Sequence, residues 1–535
     1  MTARTIPLLL FACASSALAG PSTPPATPDD AIARARASAE IAGRSLSKVQ
    51  CWLHEKALPK IDPKTGLYIS HTSGSGRYRS SLWNYDDAAA DTYPFLFWAA
   101  WYTDREKIDG PILGVLEAEQ RICNHLDRIP TAVNPATLEK QIRSKDDLIF
   151  AASEYVKDGL IAIVEVAGRD NPWFERMRAI EDDIWKHADV DTDYGKIPTG
   201  NLEANGEQIQ ALVRLFTATG EVKYLDWAER LADHYLLGGD FLPTRLRDHG
   251  CEIIGGLGLL FAVETVHRPE KAAAYRPHLR RMFDEILERG TNEDGMMFNA
   301  LDQKKGPLSD GWGYNYVAYL CFDMATGETI YQPAVERTLA NLSKPLYQDY
   351  RWEGNSIDGF ADSIEGGLYL INRLPVPEAI AWADDQSAKH LVKVADEDHL
   401  WGTMKLESNG VRTVLQHAMM HTRGTTAHPW QQGLQLGASQ QEDGLTVVVK
   451  SDKAWTGRLV FDKPRHRLGM GFSKDWPRMN TMPEWFTVEP DARYVVEDPA
   501  TGQQATHPGT SLIEGLELTL EPGVERQLVI RKSAL

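Results

Sequence analysis

Cysteine is scarce in this chain, with five residues in 535, and one of them, Cys13, falls inside the apolar N-terminal segment. The other four, Cys51, Cys123, Cys251 and Cys321, lie far apart, and none shows the paired Cys-x-x-Cys spacing of a zinc or redox site. Cysteine chemistry is thereby excluded as the basis of function, and the four are expected as core thiols or as one or two disulfides. Positive charge is short as well: 57 Lys and Arg against 75 Asp and Glu leave a net charge of −18. Nucleic acid is bound by neutralising phosphates, and no Lys/Arg-rich stripe offsets this balance, so nucleic acid and anionic membrane surfaces are excluded as partners. No run beyond the N-terminus is apolar enough to span a bilayer, and no low-complexity tract interrupts the chain.

What is present is a large soluble-type composition, 43% hydrophobic and 25% charged, enough for a big core and more than one domain. Arg4, the apolar run Ile6 to Phe11 and the small-x-small pattern Ala17-Leu18-Ala19 read as an export signal over residues 1–19, with a mature start near Gly20 and a periplasmic or secreted destination. Leu10-Phe11-Ala12-Cys13 offers the alternative of a lipoprotein anchor at Cys13. Residues 20–30, proline-rich and without bulky apolar side chains, read as a flexible lead into a first helix at about Asp29 to Lys56.

Between about residues 80 and 395 an acid- or Gly-marked turn recurs six times, each opening a small-residue-rich apolar helix followed by an amphipathic one. The openings are Trp83-Asn84-Tyr85-Asp86-Asp87, Asp146-Asp147, Asn201-Leu202-Glu203, Asp248-His249-Gly250-Cys251-Glu252, Asp310-Gly311-Trp312-Gly313-Tyr314 and Asp358-Gly359-Phe360-Ala361-Asp362. Gly255 to Val263 is apolar on every side, as a helix buried on all faces must be, whereas Glu221 to Leu237 keeps its apolar residues on one stripe. An inner ring of buried helices and an outer ring of half-wet ones predicts an (α/α)6 barrel over residues 31–398, with the acidic turns at one mouth. An open solenoid of helix pairs is the alternative. Pro375 and Pro377 close the last inner helix. Residues 399–535 read as a C-terminal antiparallel β-sandwich-like domain, with strands at Val411 to His421, Leu445 to Lys450, Arg458 to Phe461, Leu516 to Leu520 and Gln527 to Ile530. On such a strand His417 and His421 would stand about 13 Å apart, too far to share a metal, and neither metal nor cofactor is expected.

The mouth supplies the chemistry. Flat aromatic faces beside hydrogen-bonding groups suit sugar rings, and Trp83, Tyr85, Trp312, Tyr314 and Tyr316 are in these turns. Glycosidic cleavage needs a carboxylic acid to protonate the leaving oxygen and a carboxylate to activate water or attack carbon, and the candidates are Asp86, Asp87, Asp147, Glu203, Glu207, Asp310, Asp362 and Glu365. Asp87 and Asp310 sit among aromatics and small residues that can desolvate a carboxyl, which suits an acid, with Glu203 as partner. Any one of these carboxyls can equally be an ordinary helix cap. Asn84, Asp86, Asn201 and His249 join the binding set, and Arg247 is the natural partner of an anionic sugar.

These openings, the Asp-Asp before the first inner helix, the Asp-Gly-Trp-Gly-Tyr turn and the trailing β domain resemble the six-hairpin glycosidase superfamily over almost the whole mature chain. Within it the chain is most similar to bacterial uronic-acid enzymes, the β-glucuronidases of glycoside hydrolase family 154 and, more distantly, the unsaturated glucuronyl hydrolases. The resemblance implies exo-cleavage of an acidic sugar from plant or algal polysaccharide. The Arg-Gly-Asn-Gly-Trp signature of many unsaturated glucuronyl hydrolases is absent, and Ser309-Asp310-Gly311-Trp312-Gly313 occupies the comparable turn. Two other functions use the same parts. A polysaccharide lyase would take Tyr314, Tyr316, Asn315, Arg247 and His249 for proton abstraction beside a neutralised carboxylate, with His417, His421 or His428 closing the site. A secreted glycan-binding protein would use the aromatics without a matched acid and base.

Overall fold

The computed structural model describes residues 28–69, 82–247, 249–393 and 409–533, so the expected export signal and most of the lead-in lie outside the described residues. The chain is mainly helical with antiparallel sheets following. Among the described residues no helix is long and apolar enough to cross a membrane.

The α-helices up to Thr422 are α1 (Pro28–Trp52), α2 (Tyr93–Thr103), α3 (Leu113–Cys123), α4 (Lys145–Glu154), α5 (Ile161–Ala167), α6 (Pro172–Lys186), α7 (Leu202–Thr219), α8 (Val222–Leu236), α9 (Cys251–His267), α10 (Pro269–Gly290), α11 (Trp312–Thr326), α12 (Gln332–Asn341), α13 (Pro345–Gln348), α14 (Ile357–Arg373), α15 (Pro377–Gln386) and α16 (Asn409–Thr422). Their contacts run in a cycle. Helix α2 packs on α5, the α4–α5 segment on α7, then α7 on α9, α9 on α11, α11 on α14, α14 on α16, and α16 returns to α2.

The expected six-fold ring is therefore corrected to seven inner elements among the described residues. The seventh is α16, in the segment that reads as a strand from Val411 to His421. Its outer partner is α1, from the other end of the chain. The apolar residues Val411, Val414, Leu415, Ala418 and Met419 are all buried in α16, and their spacing is that of a helix face rather than the alternation of a strand. The helical part thus runs on to Thr422, past the expected boundary at residue 398.

Small residues let the inner helices approach at backbone distance. A Cβ on Gly206 would fall 2.3 Å from the backbone nitrogen of Ile253, so α7 and α9 meet there with no room for a side chain. At the next crossing but one, a Cβ on Gly313 of α11 would stand 2.3 Å from the carbonyl carbon of Gly366 in α14. Gly313→Ala is accordingly expected to force the two helices apart and cost about 1–3 kcal/mol, read as a lowered midpoint in chemical denaturation. An unchanged midpoint would show that the crossing relaxes freely.

The strands are β1 (Asn124–Leu126), β2 (Ile129–Pro130), β3 (Thr426–His428), β4 (Leu434–Gln441), β5 (Gly444–Ser451), β6 (Trp455–Val460), β7 (Arg493–Asp498), β8 (Gln503–Pro508), β9 (Leu516–Leu520) and β10 (Glu525–Lys532). Beyond the β1–β2 pair they form a five-stranded antiparallel sheet in the order β4-β5-β10-β7-β8 and a three-stranded one in the order β3-β6-β9. Four of the expected strands correspond to β5, β6, β9 and β10. The larger sheet lies on α1, whose Ala35, Ala39 and Ala42 are buried, and a Cβ on Gly437 of β4 would meet the Ala39 nitrogen at 2.2 Å.

The connection between β6 and β7 closes the ring from below. Arg478 Nε and Nη2 grip Glu165 of α5 at 2.7 and 2.9 Å, and Arg214 of α7 reaches the same carboxylate at 2.7 Å. Arg214 also donates to the Met479 carbonyl at 2.7 Å, and Asn480 donates to the Lys157 carbonyl at 2.7 Å. All three charged side chains of this triad are buried. Among the described residues no disulfide links the four cysteines, and Cys123, Cys251 and Cys321 lie in the core.

Candidate active site

The inner helices converge on one cleft. Each inner element contributes: Phe95 and Trp98 from α2, Glu154 from α4, Glu203 and Glu207 from α7, Glu252 from α9, Tyr314 from α11, Asp358, Asp362 and Glu365 from α14, and Asn409 and Arg412 from α16. Met479 and Asn480 of the β6–β7 connection line it too.

Between α4 and α5 the chain makes a π-helical turn, Tyr155–Leu160. Such a turn inserts a residue into the helical repeat and redirects side chains, and it brings Lys157 and Asp158 to the cleft beside Glu154. Lys157 Nζ pairs with Asp158 at 2.7 Å and with Glu252 at 3.0 Å. Its charge is held well above the ordinary lysine range, because burial is outweighed by Asp158 and Glu252.

On the α7 wall Asn201 caps the helix, its side-chain oxygen accepting from the Ala204 nitrogen at 3.1 Å, and Glu203 and Glu207 follow one turn apart on the same face. His249, held at φ 64°, turns its Nδ1 onto the Glu203 carboxylate, with Glu154 Oε1 at 3.9 Å. Glu207 is buried, and its Oε2 has no hydrogen-bond partner among the described residues. Burial above all, then the charges of Glu154 and Glu203, push its carboxyl well above the usual carboxylate range, Lys157 opposing. Burial and its carboxylate neighbours thus favour the protonated form of Glu207.

Across the ring, α14 presents Asp358, Asp362 and Glu365 on one face. Arg412 pairs with Asp362 and, at 2.8 Å, with Glu365. Tyr314 donates to Glu365 at 2.5 Å and lies 3.2 Å from Asp362, while Tyr369 and Gln416 each donate to the other Glu365 oxygen at 2.7 Å. Glu365 is saturated by these partners. The Tyr314 hydroxyl is held well above its ordinary range, by burial first, with Arg412 opposing.

Of the residues expected from the sequence, Glu203, Glu207, His249, Tyr314, Asp362 and Glu365 line the cleft. Asp310, Tyr316, Trp83, Asn84, Asn201, Arg247 and Trp312 are not among its lining, and the physical reasons are local. Tyr316 is buried and donates to the Gly295 carbonyl at 2.5 Å. Asp310 is buried and accepts from the Gly311 nitrogen at 2.9 Å. Trp83 donates to Tyr93 at 2.9 Å and Trp312 to Ser363 at 2.9 Å, so both rings serve the core. Asn84 accepts from the Ala88 nitrogen at 3.1 Å, which closes its own turn. The flat faces in the cleft belong to Phe95 and Tyr314. The side chains of Asp86 and Asp87, and the whole of Asp248, lie outside those described. Asp147 is an exposed first-turn residue whose nitrogen is capped by Ser144, so the second inner element meets the cleft near Glu154 instead.

Three clusters among the described residues bring one possible metal-ligand atom from each member within 4.8 Å of the others: Glu154–Glu203–His249 in the cleft, Asp384–His417–His421, and His466–Asp475–Glu484. The second corrects the 13 Å separation expected on a strand: on helix α16 the two histidine Nε2 atoms stand 3.3 Å apart.

No family model matches the chain, and no curated protein matches it. Among solved structures it is similar to a D-mannose isomerase at 14% identity over 55% of this chain and 83% of that one, with a TM-score of 0.36. An inactive variant of the α-1,6-mannanase GH76A of Salegentibacter sp. HEL1_6, in complex with α-1,6-mannotetrose, is 12% identical over 57% and 96%, with a TM-score of 0.38. A GH127 β-L-arabinofuranosidase from Geobacillus stearothermophilus T6 is 11% identical over 91% and 80%, again with a TM-score of 0.38.

Proposed function

We propose that the chain is a glycoside hydrolase in which Glu207 is the general acid and Asp362, on the facing wall, is the carboxylate that activates water or attacks the anomeric carbon. The observation that carries this reading is a buried Glu207, its proton favoured by burial, opening on the same cleft as a carboxylate paired to Arg412. A glycosidic bond asks for that asymmetry: Glu207 passes its proton to the leaving oxygen as the C–O bond breaks, and Asp362 serves the other face of the sugar. Glu154 and Glu203 keep the proton on Glu207 beforehand, and their negative charge favours the oxocarbenium-like transition state. Phe95 and Tyr314 supply apolar surface for the ring.

The cleft's charge supports a neutral sugar rather than the uronic acid that the sequence resemblance implies. Lys157 and Arg412 each already serve two carboxylates. A lyase would need Tyr314 to give up its proton readily, and its burial and its bond to Glu365 oppose that. Residues 1–19 belong to the same proposal as an export signal, which N-terminal sequencing of the exported protein would test by a start near Gly20.

The deciding assay incubates the mature protein with neutral and uronic-acid oligosaccharides and follows reducing ends together with the ultraviolet absorbance of unsaturated products. Reducing ends from neutral substrates, without that absorbance, are the expected result. Unsaturated products would hand the site to β-elimination. The anomer released, read by NMR, then tells whether Asp362 activates water or attacks directly.

A further inference from the structure

We propose that Asp384, His417 and His421 form a binding site for a divalent first-row transition ion of the zinc type, which fastens helix α16 to α15. The cluster lies apart from the cleft, where α15 and α16 meet, with α1 alongside. His417 and His421 are one turn apart on α16 and both are buried; Asp384 comes from α15. The Asp384 Oδ1 stands 2.8 Å from His417 Nε2 and 2.9 Å from His421 Nε2, and the two Nε2 atoms are 3.3 Å apart. Ligand atoms at zinc distances of about 2.0–2.1 Å around a tetrahedron lie about 3.3 Å from one another; the edge between the two Nε2 atoms has that length, and the two edges to Oδ1 are shorter.

Hydrogen bonding alone accounts less well for this arrangement. Two N–H donors sharing one carboxylate oxygen would be crowded at this Nε2 separation, although the oxygen has two lone pairs to offer. An ion on the triad's open side replaces those two hydrogens with a single charge facing two lone pairs and a carboxylate. Outer partners agree in part: His421 Nδ1 is 3.2 Å from the Ser38 hydroxyl of α1, a contact that holds the ring with Nε2 inward, whereas His417 Nδ1 has no partner among the described residues. The Asp384 side chain is 33% exposed, so water can reach the site and complete the coordination. Two imidazoles and a carboxylate suit zinc and its first-row neighbours and disfavour calcium or magnesium, which take oxygen.

Helix α16 is the ring's closing member and carries Arg412 into the cleft, so an ion here would fix the position of Arg412 through the helix. The test uses the tag-free mature chain, stripped with a chelator, dialysed, and titrated calorimetrically with zinc chloride, with metal content measured by mass spectrometry. The expected result is one zinc per chain, a raised melting temperature on reloading, and binding weakened about tenfold or more in Asp384→Asn and His421→Gln. Asp384→Asn keeps the shape of the site, so it remains informative where the histidine variant does not fold. No zinc retained at micromolar concentration would overturn the proposal. Zinc bound equally by both variants, or lost instead in Glu203→Gln, would overturn it as well, placing the ion elsewhere.

Discussion

Glu207→Gln is expected to lower turnover of an unactivated glycoside by about 10²–10⁴-fold, the range of a general acid, while the protein stays folded. The amide has the shape of the protonated carboxyl but cannot release a proton to the leaving oxygen. Sugars carrying a good leaving group, such as a dinitrophenolate, should lose far less, because their bond breaks without protonation. The sign of the stability change separates catalysis from misfolding. Burial, with Glu154 and Glu203 beside it, raises the proton affinity of Glu207 in the folded state. Its contribution to stability is therefore complete below the ordinary glutamate pKa and is lost as pH rises through the folded value. The glutamine variant does not titrate, so relative to the parent it should gain stability as pH rises, and the parent's activity should fall on the alkaline side as Glu207 ionises. Unimpaired hydrolysis of an unactivated substrate by Glu207→Gln would remove Glu207 from the acid's role.

The ring of helices was legible because buried inner helices leave a mark that sequence cannot hide, as in Gly255 to Val263, apolar on all sides. The seventh hairpin was not. Its two helices come from opposite ends of the chain, α1 and α16, so no local repeat announces it. Within α16, Val411-Arg412-Thr413-Val414 carries three β-branched residues that imitate a strand, and only the run through Leu415, Ala418 and Met419 shows the helical period. Reading it as a strand removed Arg412 from the cleft and separated two histidines that are neighbours. The site was legible where it follows directly from a helix start, as with Glu203 and His249. It was hidden where a helix runs past its opening: Asp147 begins α4, but the cleft meets that element at Glu154, Lys157 and Asp158, in a π-helical turn that the sequence does not mark. Aromatics misled in the opposite sense. Trp83, Trp312 and Tyr316 satisfy their polar atoms inside the protein, and a sequence does not distinguish a ring that stacks on sugar from one that fills the core.

Glu165→Gln is expected to be the most damaging single substitution away from the cleft, lowering stability by about 3–5 kcal/mol, the cost of breaking a buried charge pair from one side. Glu165 accepts from Arg214 and from both arms of Arg478, and all three are sealed from water. An amide leaves the buried Arg214 guanidinium without its carboxylate, while Arg478 keeps only Asp475, at 2.7 Å. The effect depends on pH. Burial by itself would raise the Glu165 pKa, but Arg478 and Arg214 prevail and bring it down to about 2. Its stabilisation is therefore present above the ordinary glutamate value of about 4.3 and lost as pH falls toward 2, so parent and variant should converge in acid. Guanidinium denaturation at pH 7 and pH 3 measures both points, and a midpoint at pH 7 matching the parent's would show that the triad is dispensable. Function should suffer along with stability, because Arg214 and Arg478 hold the connection that brings Met479 and Asn480 to the cleft. A triple replacement, Glu165→Leu with Arg214→Met and Arg478→Met, removes the charges together and should recover much of the stability. Without the Arg214 bond to the Met479 carbonyl, however, it should leave the floor of the cleft loosely held and the activity low. Stability and activity would then separate in one protein, which identifies the triad as the device that positions the floor rather than a mere contributor to folding.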